Sequence, residues 1–366
     1  MPGVNIAAIQ DMLNLTRATE LKQGSWVSFA ADLPDYPLHT SLIPRLVRRS
    51  SFEYKWTVTR EEGDLMANGG YTGINVPLQV SVGPQSKRLS VMLAKVRFAT
   101  AYSDDEEELQ GGSDEELADI VLMRKAEKLD LPLMSFLEHA LAGQPSSGSP
   151  TYQELYGLKY WFPADTAATD LELLGGADPT NYSGGAAGLT VADCPEWAHA
   201  VAGYNTVSDD DLFDKLHEFR LRVNYFVPEG VKSLDSATPK RCIMTQHPTY
   251  LDWARVQTAA NDNLRNDVGM WRGALNFMST PVKILPVISE PGSAETPTDH
   301  ALCYDLDLNT IKFIMHSAKN FDMQTMQKAD TPGTVHAYRE GYAQMVCINR
   351  RKNLVLASTN SNLIAG

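Results

Sequence analysis

The stretch that most constrains this chain is Gly111–Gly143, GGSDEELADIVLMRKAEKLDLPLMSFLEHALAG. A Gly-Gly pair opens it, and Ser113 with Glu116 three residues on makes a capping box, the mark of a helix start. Leu117, Ile120, Val121, Leu137 and Leu141 recur at spacings that lay an apolar stripe along a helix. Asp114, Glu115, Glu116 and Asp119 crowd the first turns, where the helix dipole favours carboxylates. Gly143 and Pro145 supply a stop. The spacing predicts a helix over 113–141, which as one rod would span about 45 Å at the helical rise. Pro132 argues for a kink, or for two abutting helices with Asp130 near the joint.

What precedes this helix is extended. Asn5–Lys22 reads as a short amphipathic helix ended by Gly24. Trp26–Pro44, with Pro34, Pro37 and Pro44, reads as an extended arm strapped across another element. Ser51–Thr59 alternates, with Phe52, Tyr54, Trp56 and Val58 on one face and Glu53, Lys55 and Thr57 on the other. Arg88–Thr100 is a second strand. Residues Arg60–Lys87 between them are rich in Gly, and a connection that long is usually functional or mobile. Ser51–Thr100 therefore reads as a two-stranded excursion projecting from the body. Its aromatic face is a liability in water, so a neighbouring subunit is expected to cover it.

After the helix comes a loop at Ser146–Ser149 and an apolar segment at Leu155–Phe162. A mobile Gly/Ala-rich loop is expected at Gly175–Gly188, then a helix over Asp209–Val223 capped by Ser208. Arg241–Thr245 reads as a short buried strand, followed by a helix over Thr249–Asn263. Val282–Ile288, Leu302–Leu306 and Ile311–His316 are strand-like. Val335–Ile348 and Leu354–Ser358 flank the turn Asn349–Asn353 and read as a closing hairpin. No internal repeat of fixed period is visible.

Composition excludes several classes. The 366 residues suggest about two domains, or one core with large excursions. An apolar fraction of 43% supports a real core, and a net charge of −13 argues against a nucleic-acid reader held by phosphate neutralisation. Nine carboxylates and no Lys or Arg fall between Asp104 and Asp119. Cys194, Cys242, Cys303 and Cys347 form no CxxC and read as reduced thiols in a cytosolic setting. No apolar run reaches membrane-spanning length, and Met1–Leu15 lacks a basic region followed by an apolar one, so a soluble protein made in the cytoplasm is expected. Asn14 and Asn181 match the glycosylation sequon by chance on that expectation.

The order of parts resembles a known family. An N-terminal arm, the excursion Phe52–Thr100, the long helix Ser113–Leu141, a mixed domain and the strand–helix pair Arg241–Asn263 follow one another. The segment Gly273–Val282 and a hairpin ending near Ser358 close the chain. This looks like a major capsid protein of tailed bacteriophages, the α+β Hong Kong 97-type fold. The resemblance implies an N-terminal arm at 1–50 and an E-loop at 51–100. It implies a peripheral (P) domain at 101–239 with its spine helix at 113–141, an axial (A) domain at 240–320, and a P-domain return at 321–366. It implies self-assembly into hexamers and pentamers of an icosahedral shell that encloses double-stranded DNA without sequence-specific binding. Scaffolding, portal and decoration proteins would be its partners, with assembly in the host cytoplasm and residence in the virion. An encapsulin-like nanocompartment is an alternative within the fold. A cytosolic hydrolase with Gly175–Gly188 as its lid is the alternative outside it.

HExxH, GxxxxGK[ST], GxSxG and a post-strand GxGxxG are absent, so no catalytic, cofactor-binding or metal residue is assigned and no enzyme is expected. Histidines such as His199, His217, His247 and His316 never pair at ligand spacing. Asp305, Asp307 and Asn309 begin like a calcium loop but lack its Gly at position six. Met315, Met323 and Met326 read as core or interface filler. Asp104–Glu108 reads as a solvated turn, or as a run that repels packaged genome if it faces inward. Some capsids of this family weld a Lys on the E-loop to an Asn in the P domain, for which Lys87 with Asn349 or Asn353 are the counterparts. Arg350, Arg351 and Lys352 read as a solvated basic turn, or as an inter-subunit contact with an acidic neighbour.

Overall fold

The computed structural model describes residues 37–42, 46–59, 86–103, 131–145, 153–165, 168–225, 241–260, 275–278, 280–285, 302–328 and 334–358. The expected N-terminal helix, most of the arm, the tip of the excursion, the acidic run 104–108 and the first half of the long helix lie outside these residues.

Three sheets organise the rest. The first has four strands, in the order β1 (Leu46–Arg49), β10 (Ile311–Lys328), β11 (Thr334–Cys347), β4 (Ala94–Ser103). The antiparallel pair β10–β11 is its spine. Register shifts between Met315/Asn320, Asn320/Met323 and Gln324/Gln327 bulge β10 and twist the pair. At one bulge Phe321 takes φ +66, and its ring lies over Gly341, where a Cβ would sit 2.7 Å from ring atoms. Helix α2 (Leu131–Ala142) places Leu133, Leu137 and Leu141 at i, i+4 and i+8 in the core that Val96, Phe313, Ala343 and Met345 share. Pro132 occupies its first turn, where a missing N–H costs nothing.

The second sheet has six strands, in the order β5 (Ala200–Tyr204), β12 (Leu354–Ser358), β9 (Leu302–Asp307), β6 (Arg241–Thr245), β8 (Thr280–Ile284), β7 (Asn276–Phe277). Alternate residues serve two cores. Ile243, Cys303, Leu354 and Leu356 meet α4 (Asp214–Tyr225) and α5 (His247–Ala260) through Leu216, Phe219 and Trp253. Met244, Tyr304, Leu306 and Val355 join the core of the first sheet. A sheet covered on both faces needs apolar residues at every position, which is why β12 reads LVLAS without alternation.

The third is the antiparallel ribbon of β2 (Glu53–Thr59) and β3 (Ser86–Met92), paired from Glu53↔Met92 to Thr59↔Ser86.

Several expectations are corrected. The strand expected at Arg88–Thr100 is two strands, β3 in the ribbon and β4 in the four-stranded sheet, divided at Leu93. No closing hairpin joins Val335–Ile348 to Leu354–Ser358, because β11 pairs with β10 and β4 while β12 pairs with β5 and β9. Within the arm, Pro37–Leu42 is a short helix, α1, with Leu38 and Leu42 buried and the Leu38 N–H held by the buried Glu138 carboxylate of α2 at 2.9 Å. Ser208 makes no side-chain cap. Asp211 instead accepts the N–H groups of Asn205 and Thr206 at 2.7 and 2.9 Å, through a π-turn (Asp209–Phe213) that precedes α4. The Gly/Ala-rich loop 175–188 is packed, with Ala186 buried and the Gly176 N–H bonded to the His199 carbonyl at 2.9 Å.

Candidate assembly surface

The ribbon leaves the body through two short links, Ser50–Phe52 before β2 and Leu93 after β3. Two side chains of the β10–β11 pair hold them. His316 Nε2 donates to the Ser50 carbonyl at 3.0 Å, and its Nδ1 accepts the Ala318 N–H at 3.2 Å. Because a carbonyl only accepts, this pair of bonds fixes the tautomer. The Phe52 ring, half exposed, stacks on His316 at 4.4 Å and meets Tyr342 edge-on at 4.9 Å. Buried Gln344 donates from Nε2 to the carbonyls of Met92 (3.2 Å) and Glu154 (3.0 Å), and its Oε1 accepts the Tyr156 N–H at 2.7 Å. The Leu93 N–H closes the base on the Phe52 carbonyl at 2.9 Å.

The inner face of the ribbon is covered by its own chain. Trp56, Leu89 and Val91 are buried, and Trp56 packs on Trp161 with ring centroids 6.4 Å apart. This corrects the expectation that a neighbour must cover the aromatic face. Trp161, on the short helix α3 (Leu158–Trp161), in turn meets Tyr160 and Tyr156 edge-on.

The outer face of the four-stranded sheet is basic and aromatic. Arg97 lies over the Tyr338 ring at 4.3 Å, Lys95 over Tyr342 at 5.7 Å, and Arg49 over Tyr54 at 5.8 Å. Glu340 accepts Lys95 at 3.1 Å and Lys319 at 3.3 Å. Burial would raise the Glu340 carboxyl, but the two lysines outweigh it and hold it below the usual range.

Among the described residues there are also two buried ionic centres, around Asp305 and Arg350. Asp305, on β9, accepts Arg220 Nε at 2.8 Å and Arg241 Nε at 3.1 Å, and neither of its oxygens is left for a metal. Burial would raise its carboxyl; the charges of Arg241 and Arg220 outweigh this and hold it below the usual range. Asp307 bonds the Asn309 N–H at 3.0 Å as an ordinary turn. The second centre corrects the solvated reading of the basic turn. Arg350 is wholly buried and donates to the carbonyls of Trp161 (2.7 Å) and Ala177 (2.8 Å) and to His199 Nδ1 (3.1 Å). Burial brings its guanidinium down to about 10. His199 Nε2 donates to the Pro163 carbonyl at 2.8 Å, and burial, helped by the Arg350 charge, pushes this imidazole down to about 3.

The remaining sequence candidates are dispersed. Lys87 is exposed on β3. Asn353 is fully buried, accepting the Asp307 N–H at 2.8 Å and donating to Thr310 Oγ1 and the Asn349 carbonyl, so its amide is closed to a neighbour's lysine. Asn349 is half-buried, and Met315 packs against the core as expected. Met323 and Met326 lie on β10, but their side chains are outside the described residues. All four cysteines are buried and none forms a disulfide, and burial raises the Cys347 thiol to about 12. Sequence reasoning missed Gln344, Glu340 and Arg97. The only local signal was a polar residue at every second position of β11, where Tyr338, Glu340, Tyr342 and Gln344 share one face.

Among the described residues no group of His, Cys, Asp and Glu is placed to hold a metal, and no helix is long and apolar enough to cross a membrane. No family model and no curated protein sequence matches the chain. Solved structures do. A chain of the Cyanophage A-1(L) capsid asymmetric unit is similar over 94% of this chain and 98% of its own, with TM-score 0.60 and 15% identity. A chain of Mycobacterium phage Ogopogo is similar over 93% and 99%, with TM-score 0.52 and 10% identity. The holo-SrpI encapsulin complex from Synechococcus elongatus is similar over 93% and 94%, with TM-score 0.50 and 8% identity. The likeness is one of fold: this chain has the α+β Hong Kong 97-type architecture of phage capsid shells.

Proposed function

We propose that this chain is the major capsid protein of a tailed bacteriophage, building an icosahedral shell of hexamers and pentamers around double-stranded DNA. The observation that carries the reading is the likeness to a capsid chain over nearly the full length of both chains. A protein that merely borrowed the core would not need a ribbon attached by two links. On this reading the ribbon is the base of the E-loop, and the four-stranded sheet with α2 is the P domain. The six-stranded sheet is the heart of the A domain, taking β5 and β12 from beyond residues 240–320. The role is architectural, without turnover, and heterologous contacts repeat around each ring. Scaffolding, portal and decoration proteins are the expected partners, with assembly in the host cytoplasm and residence in the virion.

An encapsulin-like compartment is the second reading, favoured by the likeness to the SrpI complex. Sedimentation of the purified protein, followed by nuclease treatment and absorbance of the particle, separates the possibilities. Large particles with protected DNA are expected when the protein is taken from infected cells. Particles that hold only protein cargo would favour the compartment. A stable monomer in every buffer and concentration would refute both.

A further inference from the structure

We propose that the basic face of the four-stranded sheet is a contact between copies, and that its occupant is the acidic stretch Asp104–Asp119 of a second copy. The inference rests on the shell reading and names one of its contacts. Among the described residues the face carries Arg49, Lys95, Arg97 and Lys319 against one carboxylate, Glu340, in a chain of net charge −13. Three of these cations lie over Tyr54, Tyr342 and Tyr338. Stacking spreads them across the sheet and fixes their heads, so less side-chain freedom is lost when an anion arrives. Among the described residues Glu340 engages Lys95 and Lys319, which leaves positive charge in excess on this face.

The matching charge is in the sequence, where nine carboxylates run from Asp104 to Asp119 without a single Lys or Arg. Such a block repels itself and is stabilised where cations meet it. It belongs to a second copy because of the direction of β4. Lys95 and Arg97 pair with Tyr342 and Glu340 at one end of the strand, while Ser103 pairs with Thr334 at the other. Five residues of strand lie between Arg97 and Ser103, a rise of about 20 Å, so β4 brings Ser103, its last residue, to the end of the sheet away from the basic face. A ring or shell repeats one such contact at every subunit, so weak individual pairs add up in assembly.

The experiment uses two full-length variants. The first, Arg49→Glu with Arg97→Glu, reverses the face but keeps both lysine partners of Glu340. The second, Asp104→Lys, Asp105→Lys and Glu107→Lys, reverses the segment. Each variant alone is expected to need about tenfold more protein to assemble than the wild type, with unchanged far-UV circular dichroism. An equimolar mixture is expected to recover wild-type assembly, because each reversed surface then finds its complement. Wild-type assembly by the face variant alone would overturn the inference, as would a mixture no better than its parts, which would place the contact within one chain. Loss of bound DNA as the sole change would make the face a nucleic-acid contact and also overturn it. Should either variant misfold, Arg97→Gln and Asp104→Asn must still weaken the salt dependence of assembly, and an unaltered dependence would refute the contact. Failure of the wild type to assemble at all would count against the shell reading instead.

Discussion

Acid should unlock this subunit through His199. The imidazole is fully buried, gives its Nε2–H to the Pro163 carbonyl and takes the Arg350 guanidinium on Nδ1, so the folded state holds it neutral. Burial and the adjacent Arg350 charge bring it from 6.5 to about 3. A base whose folded value is depressed contributes stability that is present above its unfolded value and lost as the pH falls toward the folded one. The window is therefore about pH 6.5 down to about 3. At pH 4.5 the unfolded chain has gained the proton over two pH units and the folded chain has not. At ~1.4 kcal/mol per unit, the loss is about 3 kcal/mol relative to pH 8. Urea unfolding of wild type and His199→Gln at both pH values measures it. Glutamine keeps one donor and one acceptor but does not titrate, so comparing each protein with itself cancels the cost of the substitution. The wild type should lose about 3 kcal/mol more than the variant between pH 8 and 4.5. Parallel losses would show that His199 is not the acid-labile group.

Three further outcomes follow from the other buried contacts. Asp305→Asn removes the carboxylate shared by Arg220 and Arg241 and should cost about 3–5 kcal/mol in a denaturant titration, whereas a change under about 1 kcal/mol would contradict the shared-ion account. Trp56→Ala should cost about 3–5 kcal/mol and speed amide exchange across Ser86–Met92, while unchanged exchange there would mean the ribbon is not seated on Trp161. Asn353→Ala should lower stability by about 1–3 kcal/mol, because the Asp307 N–H loses its acceptor, and an unshifted unfolding midpoint would refute that role.

The sequence was readable where one physical rule acts locally. Alternation in Phe52–Val58 marked β2, and the apolar runs RCIMT and LVLAS marked β6 and β12. It was silent where the deciding contact lies far along the chain. Arg350 stands in a triple of cations that looks solvated, yet its partners are carbonyls 189 and 173 residues away. Local pattern also cannot say which sheet a strand joins, so β11 and β12 looked like a hairpin although they belong to different sheets. Past His316, β10 continues as SAKNFDMQTMQK, whose bulges break the alternation that would have announced a strand. Leu93 gave no sign of dividing β3 from β4, since the break is a change of partner and not of composition. The assembly surface was half legible. The excess of acid at 104–119 could be counted, but its basic counterpart is spread over Arg49, Lys95, Arg97 and Lys319 on three strands.

Electron micrographs of the expressed protein beside a variant in which Glu61–Gln85 is replaced by Asn-Gly test the central claim most directly. The wild type should give closed shells of uniform diameter. The variant keeps the seated ribbon base, with Trp56, Leu89 and Val91 buried in their own subunit, so it should fold with normal far-UV circular dichroism. It should nevertheless give only free subunits or open capsomers. Monomers alone from the wild type, or normal shells from the shortened ribbon, would contradict the account.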